Sequence, residues 1–234
     1  MHFHIVTLFP KAFDSYLGES ILKRAIEDRK LKVSFYNPRD FVKNKWKRVD
    51  RPPYGGGPGL VIEAEPVIRA IEAALRRSKI QDSRFKNKAI PKSRIINPKS
   101  TKIIFLSPGG KQFTNDYAKK TAKKYKNIIL MCGRYEGIDA RVKKVFRMDE
   151  ISVGPFVLTG GELPAMFLID VISRQVRGVL GNFNSLEERH ISGSEIYTRP
   201  EVFKHKGKSY RVPKILLSGH TAKIEEWKKG VDKK

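Results

Sequence analysis

The chain has a single cysteine, Cys132, in 234 residues. That excludes an intrachain disulfide and any zinc site built on cysteine pairs, and it suits a reducing, cytoplasmic setting. Long apolar runs are missing as well: nothing approaches the ~20 residues that a membrane helix needs. The opening MHFHIVTLFPKAF lacks a basic start followed by a long apolar core, so it reads as a first strand and turn rather than a signal peptide. Neither G-x-G-x-x-G, nor a Walker A loop, nor H-E-x-x-H occurs. The five histidines show no metal-ligand spacing, and no metal site is expected from them; His2 and His4 merely alternate on one strand face. Acidic residues are scarce beside basic ones, 24 against 48, for a net charge of +24. Such a balance predicts a polyanionic partner, first of all nucleic acid.

A hydrophobic content of 40% suffices for a packed core. Strand-like and helix-like stretches alternate: a strand at 2–8, helix within 12–29 with Ser20 as a cap, and a strand at 31–36. A helix at 65–77, a strand at 102–106, a helix at 114–125 and a strand at 127–132 follow. The series ends with a helix at 138–146, a strand at 150–153 and a helix at 161–176. This alternation predicts a parallel α/β sheet covered on both faces. Residues 50–60, DRPPYGGGPGL, are too rich in Gly and Pro for regular structure and read as a loop. After Gly178 the chain turns polar, glycine-punctuated and aperiodic, which marks a boundary. The expected divisions are an α/β domain over 1–177, a flexible linker over 178–196 and a small C-terminal domain over 197–234. Residues 76–102 carry ten basic residues and one acid, Asp82, and within them 79–101 reads as an exposed basic loop able to follow a phosphate backbone. The lysines at 119, 120, 123, 124 and 126 are a second basic cluster, equally well explained as a solvated helix face.

The most informative stretch is 131–164. The apolar run Ile128–Met131 ends at Gly133, and Arg134, Glu136, Asp139 and Arg141 crowd just beyond it, where open α/β sheets bind ligands. Gly154, Gly160 and Gly161 repeat the arrangement after a second apolar segment. Glycine corners let backbone approach a flat polar ligand closely. Cys132, with apolar flanks and no histidine nearby in sequence, reads as a small buried strand-end residue rather than a nucleophile.

Ten ordered segments then point to a family: LFP (8–10), NPRDF (37–41), VDRPPYGGGPG (49–59), LSPGG (106–110), CGRYEGID (132–139), VGPFVLTGGELPA (153–165), LID…SR (168–174), GVLG (178–181), YTRPEVF (197–203) and LLSGHTAKIEEW (216–227). Together they resemble the bacterial tRNA (guanine-37-N1)-methyltransferases of the knotted SPOUT superfamily. The resemblance implies an α/β domain with a deep trefoil knot, a linker, and a small, mostly helical C-terminal domain that grips tRNA. It also implies a homodimer whose active sites are shared between subunits, S-adenosylmethionine as methyl donor, an association with magnesium, and no membrane.

By the same resemblance the donor pocket consists of Phe105, Leu106, Ser107 and Pro108; Gly133 and Glu136; and Val153, Gly154, Phe156, Leu158, Gly160, Gly161 and Pro164. Asp50, Tyr54, Gly59, Arg134 and Tyr135 match residues around the target nucleotide. Arg174 matches the arginine that stabilises charge on the guanine oxygen. The general base of the family is a linker aspartate, and here Arg189 stands at its place, so Glu188 and then Glu187 are the nearest carboxylates. Phe156 stands where tyrosine is common, Gly109 where glutamine is common, 79–101 resembles an insertion, and the C-terminal domain looks short. The altered linker leaves a second reading open, a catalytically weakened RNA-binding protein of the same fold. A third, an enzyme of the same superfamily acting on ribosomal RNA, is disfavoured by the YGGGPG and CGRYEGID loops.

Overall fold

The computed structural model describes residues 1–81, 99–181 and 195–231. These fall into two compact units, Met1–Gly181 and Asn182–Lys234. In chain order the first unit has β1 (His2–Val6), α1 (Asp14–Leu17), α2 (Ser20–Glu27), β2 (Lys32–Tyr36), β3 (Asp50–Arg51), β4 (Val61–Ile62) and α3 (Ala64–Gln81). It continues with β5 (Thr101–Gln112), α4 (Asn115–Lys124), β6 (Asn127–Met131), α5 (Arg141–Val145), β7 (Asp149–Ser152) and α6 (Glu162–Arg174).

Five of the strands form one sheet in the order β2-β1-β6-β5-β7, with every pairing parallel. Strands covered on both faces read as continuous apolar runs rather than as alternation, which is why the whole of β6, Asn-Ile-Ile-Leu-Met, is buried. The two faces separate by residue parity. Ile104, Ile128 and Leu130 pack with Ala118 of α4 and with Ala165, Leu168, Ile169 and Ile172 of α6. Ile103, Phe105, Ile129 and Met131 pack on the other face with Val67, Ala70, Ile71, Ala74 and Leu75 of α3. The result is a three-layer α/β/α sandwich, and none of the helices among the described residues is long and apolar enough to cross a membrane.

Several expected details are corrected. Ser20 does not cap a helix: it is the first residue of α2, has φ of 51°, and makes no capping bond. Thr114 does cap, its side chain accepting from the Tyr117 N–H at 3.2 Å. Residues 50–60 are framed by a short antiparallel ladder, Asp50 opposite Ile62 and Arg51 opposite Val61, so only the Gly/Pro-rich middle is irregular. Helix α3 runs on to Gln81 and β5 begins at Thr101, so both ends of the expected 79–101 loop are regular structure; 82–98 lie outside the described residues. Helix α5 starts only at Arg141, because Gly137, at φ of 122°, and an Asp139 carboxylate that accepts the Arg141 N–H at 2.9 Å hold the preceding turn open.

In the second unit, β8 (Val202–His205) and β9 (Lys208–Arg211) form a hairpin. Its two-residue turn, Lys206-Gly207, has both φ angles positive, 45° and 77°, the geometry that matches strand twist. The helices α7 (Lys214–Leu217) and α8 (Thr221–Val231) follow, and the Tyr197 and Trp227 rings meet at 6.4 Å.

Candidate active site

The C-terminal ends of β5, β6 and β7 converge, as parallel topology requires, and the chain leaving each end turns back over the sheet edge. They enclose a cavity of about 450 Å³, within the usual range for small-molecule sites. Twelve of the thirteen residues matched to the donor pocket line it: Phe105, Leu106, Ser107, Pro108, Gly133, Glu136, Val153, Phe156, Leu158, Gly160, Gly161 and Pro164. The thirteenth, Gly154, does not line it; its N–H donates at 3.3 Å to the hydroxyl of Ser152, which does. Arg134 and Tyr135 line the cavity too. Gly109 does not; it belongs to a bulge of β5 that turns away toward the β7 side.

Two close approaches shape the floor. Gly161, the residue before α6, donates its N–H to the Gly133 carbonyl at 2.9 Å. A Cβ there would stand 2.6 Å from Cys132 Cα and 2.8 Å from the Gly133 nitrogen, so backbone meets backbone with no flexible side chain to yield. Gly59 adopts φ of 84°, and a Cβ there would strike the Glu136 carboxylate at 2.6 Å. That contact shows how the 50–62 segment joins the site. Glu136 N–H bonds Leu60 O, Ile62 N–H bonds Gly137 O, and Asp139 N–H bonds Ile62 O, each at 3.0 Å. The ribbon is thereby stitched along the 134–139 turn. Asp50, Tyr54 and Gly59 therefore sit beside the cavity rather than in its wall, with Tyr54 fully exposed and the Asp50 carboxylate 4.0 Å from Arg48.

Arg134 is fixed by a network that residue-by-residue reading missed. Its Nε donates to Glu162 at 2.8 Å, one of its terminal nitrogens donates to the Thr159 carbonyl at 3.3 Å, and its guanidinium lies 4.7 Å from the Phe9 ring. Glu162, only 2% exposed, also accepts from the Thr7 hydroxyl at 2.7 Å. The ends of β1 and β6 and the start of α6 thus meet in one hydrogen-bonded knot of charge. The signal was present in the sequence as a glutamate in the first turn of a helix after Gly-Gly, but that pattern usually means only a dipole contact. Lys143 was missed as well: it lines the cavity, bonds Glu150 at 2.6 Å and rests 4.9 Å from the Phe105 ring. Asp139 is held below the usual carboxylate range, mainly by its bonds to Arg141. Cys132 is buried, and that burial raises its thiol pKa well above the ordinary value, so it is no nucleophile in this state.

Arg174 is not in the cavity wall. Helix α6 has thirteen residues, so it is roughly 20 Å long. Its first turn forms the cavity floor, and Arg174 is its last residue. Glu187 and Glu188 lie outside the described residues.

A parallel sheet whose C-terminal loops enclose a glycine-cornered cavity, with a carboxylate and a buttressed arginine inside, belongs to an enzyme that binds a small polar donor; this fold and site are those of a methyltransferase. The profile of the family described as tRNA (Guanine-1)-methyltransferase TrmD matches residues 1–234, and the chain belongs to that family. Enzymes of the family use S-adenosylmethionine. A tRNA (guanine-N(1)-)-methyltransferase of Clostridioides difficile (strain 630) is 42% identical over 233 residues, covering 98% of this chain and 91% of the relative. One from Caldanaerobacter subterraneus subsp. tengcongensis is 44% identical over 233 residues, covering 98% and 86%. One from Campylobacter jejuni subsp. doylei is 41% identical over 232 residues, covering 97% and 90%.

Proposed function

We propose that the chain transfers a methyl group from S-adenosylmethionine to N1 of guanosine 37 in tRNA, as a cytoplasmic homodimer with two sites that each draw on both subunits. The observation that carries this is the convergence of three loops on one cavity that takes in twelve of the thirteen donor-matched residues. The donor supplies an electrophilic carbon on a sulfonium. Glu136, at the cavity rim, offers that positive charge a carboxylate, while the glycine corners let backbone reach the adenine. Tyr54, Tyr135 and the glycine-rich 55–59 turn are assigned to the extruded guanine.

Ring nitrogen one of guanine carries a proton and is a poor nucleophile until it is removed. Glu188, with Glu187 next, is assigned as the general base. As the proton leaves, charge grows on the guanine oxygen, where Arg174 stabilises it. The nitrogen lone pair then forms the N–C bond while the C–S bond breaks, and the donor departs as a neutral thioether. Arg174 cannot serve the cavity of its own chain from the far end of α6, which supports its acting in the partner's site. An exposed apolar face of α6 supports the same arrangement: Leu163 and Phe167 are 59% and 48% exposed and flank a largely apolar concavity of about 740 Å³ that also touches Phe156 and Leu158. The finer fold assignment, a trefoil knot, is supported by residues 159–161 lying hard against the 132–134 turn. The second unit is assigned to tRNA. Magnesium would draw ligands from the bound reactants, since among the described residues no three His, Cys, Asp or Glu side chains gather. No observation favours the non-catalytic alternative.

The test uses purified protein, methyl-labelled donor, and unmodified tRNA with guanosine or adenosine at position 37. Label is expected only in the guanosine tRNA, and its absence there overturns the reading. Arg174→Ala is expected to lower kcat by about 100- to 1000-fold. Glu188→Gln or Glu187→Gln is expected to lower it by about 100-fold or more; wild-type rates in both would remove the linker base. Chelation that leaves the rate untouched would remove magnesium. Leu163→Glu should shift the mass in light scattering from dimer to monomer.

A further inference from the structure

The register of the sheet sets four strand starts in one row: Lys32 of β2 beside His2 of β1, His2 beside Asn127 of β6, and Asn127 beside Thr101 of β5. Against this N-terminal edge, opposite the donor cavity, lies a second concavity of about 580 Å³. Arg29, Lys32, Lys126 and Arg177 stand in its wall, and none of the residues lining it is acidic. All four are exposed. Among the described residues none of the four is within ion-pair distance of a carboxylate, whereas Lys102, Arg134, Arg141 and Lys143 of the same unit are each paired. The floor is polar: His2, Ser100 and Asn127 are buried there.

Four like charges around one hollow repel each other. Among the described residues no carboxylate lies within ion-pair distance to offset that, so an anionic occupant is the economical explanation. Phosphate oxygens suit the wall and the polar floor alike. The source follows from position. Gln175 and Arg177, which line the hollow, directly follow Arg174 at the end of α6. On the far side, Ala122, Tyr125 and Lys126 carry it to the last turn of α4, where Lys123 and Lys124 are exposed.

We propose that this groove holds the RNA backbone of the tRNA substrate next to the target guanosine, one subunit's groove serving the site to which its Arg174 contributes. The inference rests on the methyl-transfer reading above, which puts Arg174 on the guanine oxygen. Charge on the phosphates would explain why these cations have no ion-pair partner among the described residues, and it gives the net charge of +24 a specific place to act.

The test is the salt dependence of tRNA binding to the full chain, measured by fluorescence anisotropy in rising KCl. Lys126→Gln with Arg177→Gln, and separately Arg29→Gln with Lys32→Gln, should each reduce the slope of log Kd against log salt by about 1.4–1.8, at ~0.7–0.9 per phosphate contact. Lys11→Gln with Lys23→Gln, which removes equal charge elsewhere on the unit, should leave the slope within error. Donor affinity by calorimetry should be unchanged in all three, which shows that the variants fold. Unaltered slopes in the groove variants, or an equal drop in the control pair, overturn the groove. So does inorganic pyrophosphate that protects the wild-type chain but not the groove variants from thermal unfolding while tRNA binding is unaltered, because the hollow would then be a small-anion site. Wild-type protein that labels guanosine-37 tRNA while the groove variants keep the wild-type slope refutes the groove alone. Wild-type protein that labels no tRNA refutes both readings.

Discussion

At one edge of the five-stranded sheet, loops fold inward around a cavity whose character comes from backbone: glycine corners, two prolines, and one carboxylate beside one buttressed arginine. At the other edge, ~16 Å away along strands of five residues, the character comes from side-chain charge: four exposed cations around a polar hollow. The two edges use different physics because the proposed ligands differ. A small donor is recognised by shape and by directional hydrogen bonds, which tolerate almost no displacement. A phosphate backbone is recognised by a field that survives side-chain motion but weakens with salt. Damage to the first edge should therefore be steep and local, damage to the second gradual and screened.

The largest effect is expected where the first edge is fastened. Glu162→Ala leaves the Arg134 guanidinium without its partner and the Thr7 hydroxyl without an acceptor. Breaking a buried pair costs about 3–5 kcal/mol, and the lower end applies because the arginine side chain is 27% exposed. Denaturant unfolding should register this together with loss of donor binding by calorimetry. A loss of stability without loss of donor affinity would show that the network only supports the fold. Gly161→Ala comes next. Its Cβ has no room against Cys132 and Gly133, so stability should fall by roughly 1–3 kcal/mol and donor affinity by at least about tenfold, with the salt slope of tRNA binding untouched. A change in that slope would mean that the two edges are not independent.

A pH-dependent effect, smaller than these only in mildly acid solution, belongs to the second edge. His4 is fully buried with its ring bonded to the Tyr36 hydroxyl at 2.9 Å and to Asn127 at 3.3 Å, and its centroid 3.8 Å from that of the tilted His2 ring. Burial, reinforced by His2 and by the nearby Arg77 and Lys32, lowers its pKa from 6.5 to about 3. The unfolded chain therefore binds the extra proton between those values and the folded chain does not. His4 contributes its full stability above pH 6.5, and that contribution falls by about 1.4 kcal/mol per unit as pH drops toward 3. His4→Phe should flatten the acid limb of a stability–pH curve; an unchanged limb would place the loss at other groups.

Much of the fold was legible because parallel strands are buried on both faces. Ile128–Met131 could hardly be anything but a central strand, and the helix stripes of α3 and α6 followed the 3.6-residue period. Strand order was not legible. β1 is an inner strand, between β2 and β6, and no local pattern encodes a partner so distant in sequence. The short ladder at Asp50–Arg51 was hidden by its prolines and glycines, and Ser20 misled because a serine before an apolar run usually caps. In the site, the glycine corners were readable as residue types, since few other roles need bare backbone in three successive loops. The union of Arg134 with Glu162 and Thr7 was not, because each residue is ordinary in its own segment and only the tertiary fold brings the three together.

That union also has a place in time. Thr7 and Glu162 lie 155 positions apart, so at synthesis rates of 5–20 residues per second roughly 8–30 s pass between making the first and the second. Until β6 is made, β1 waits with at least one of its two neighbours missing, and no nascent chain that stops short of α6 can own a donor cavity. Ribosome-bound chains halted before Glu162 should fail to retain donor, while those released beyond Arg174 should capture it. For this molecule, the ability to bind its small substrate is acquired late and all at once.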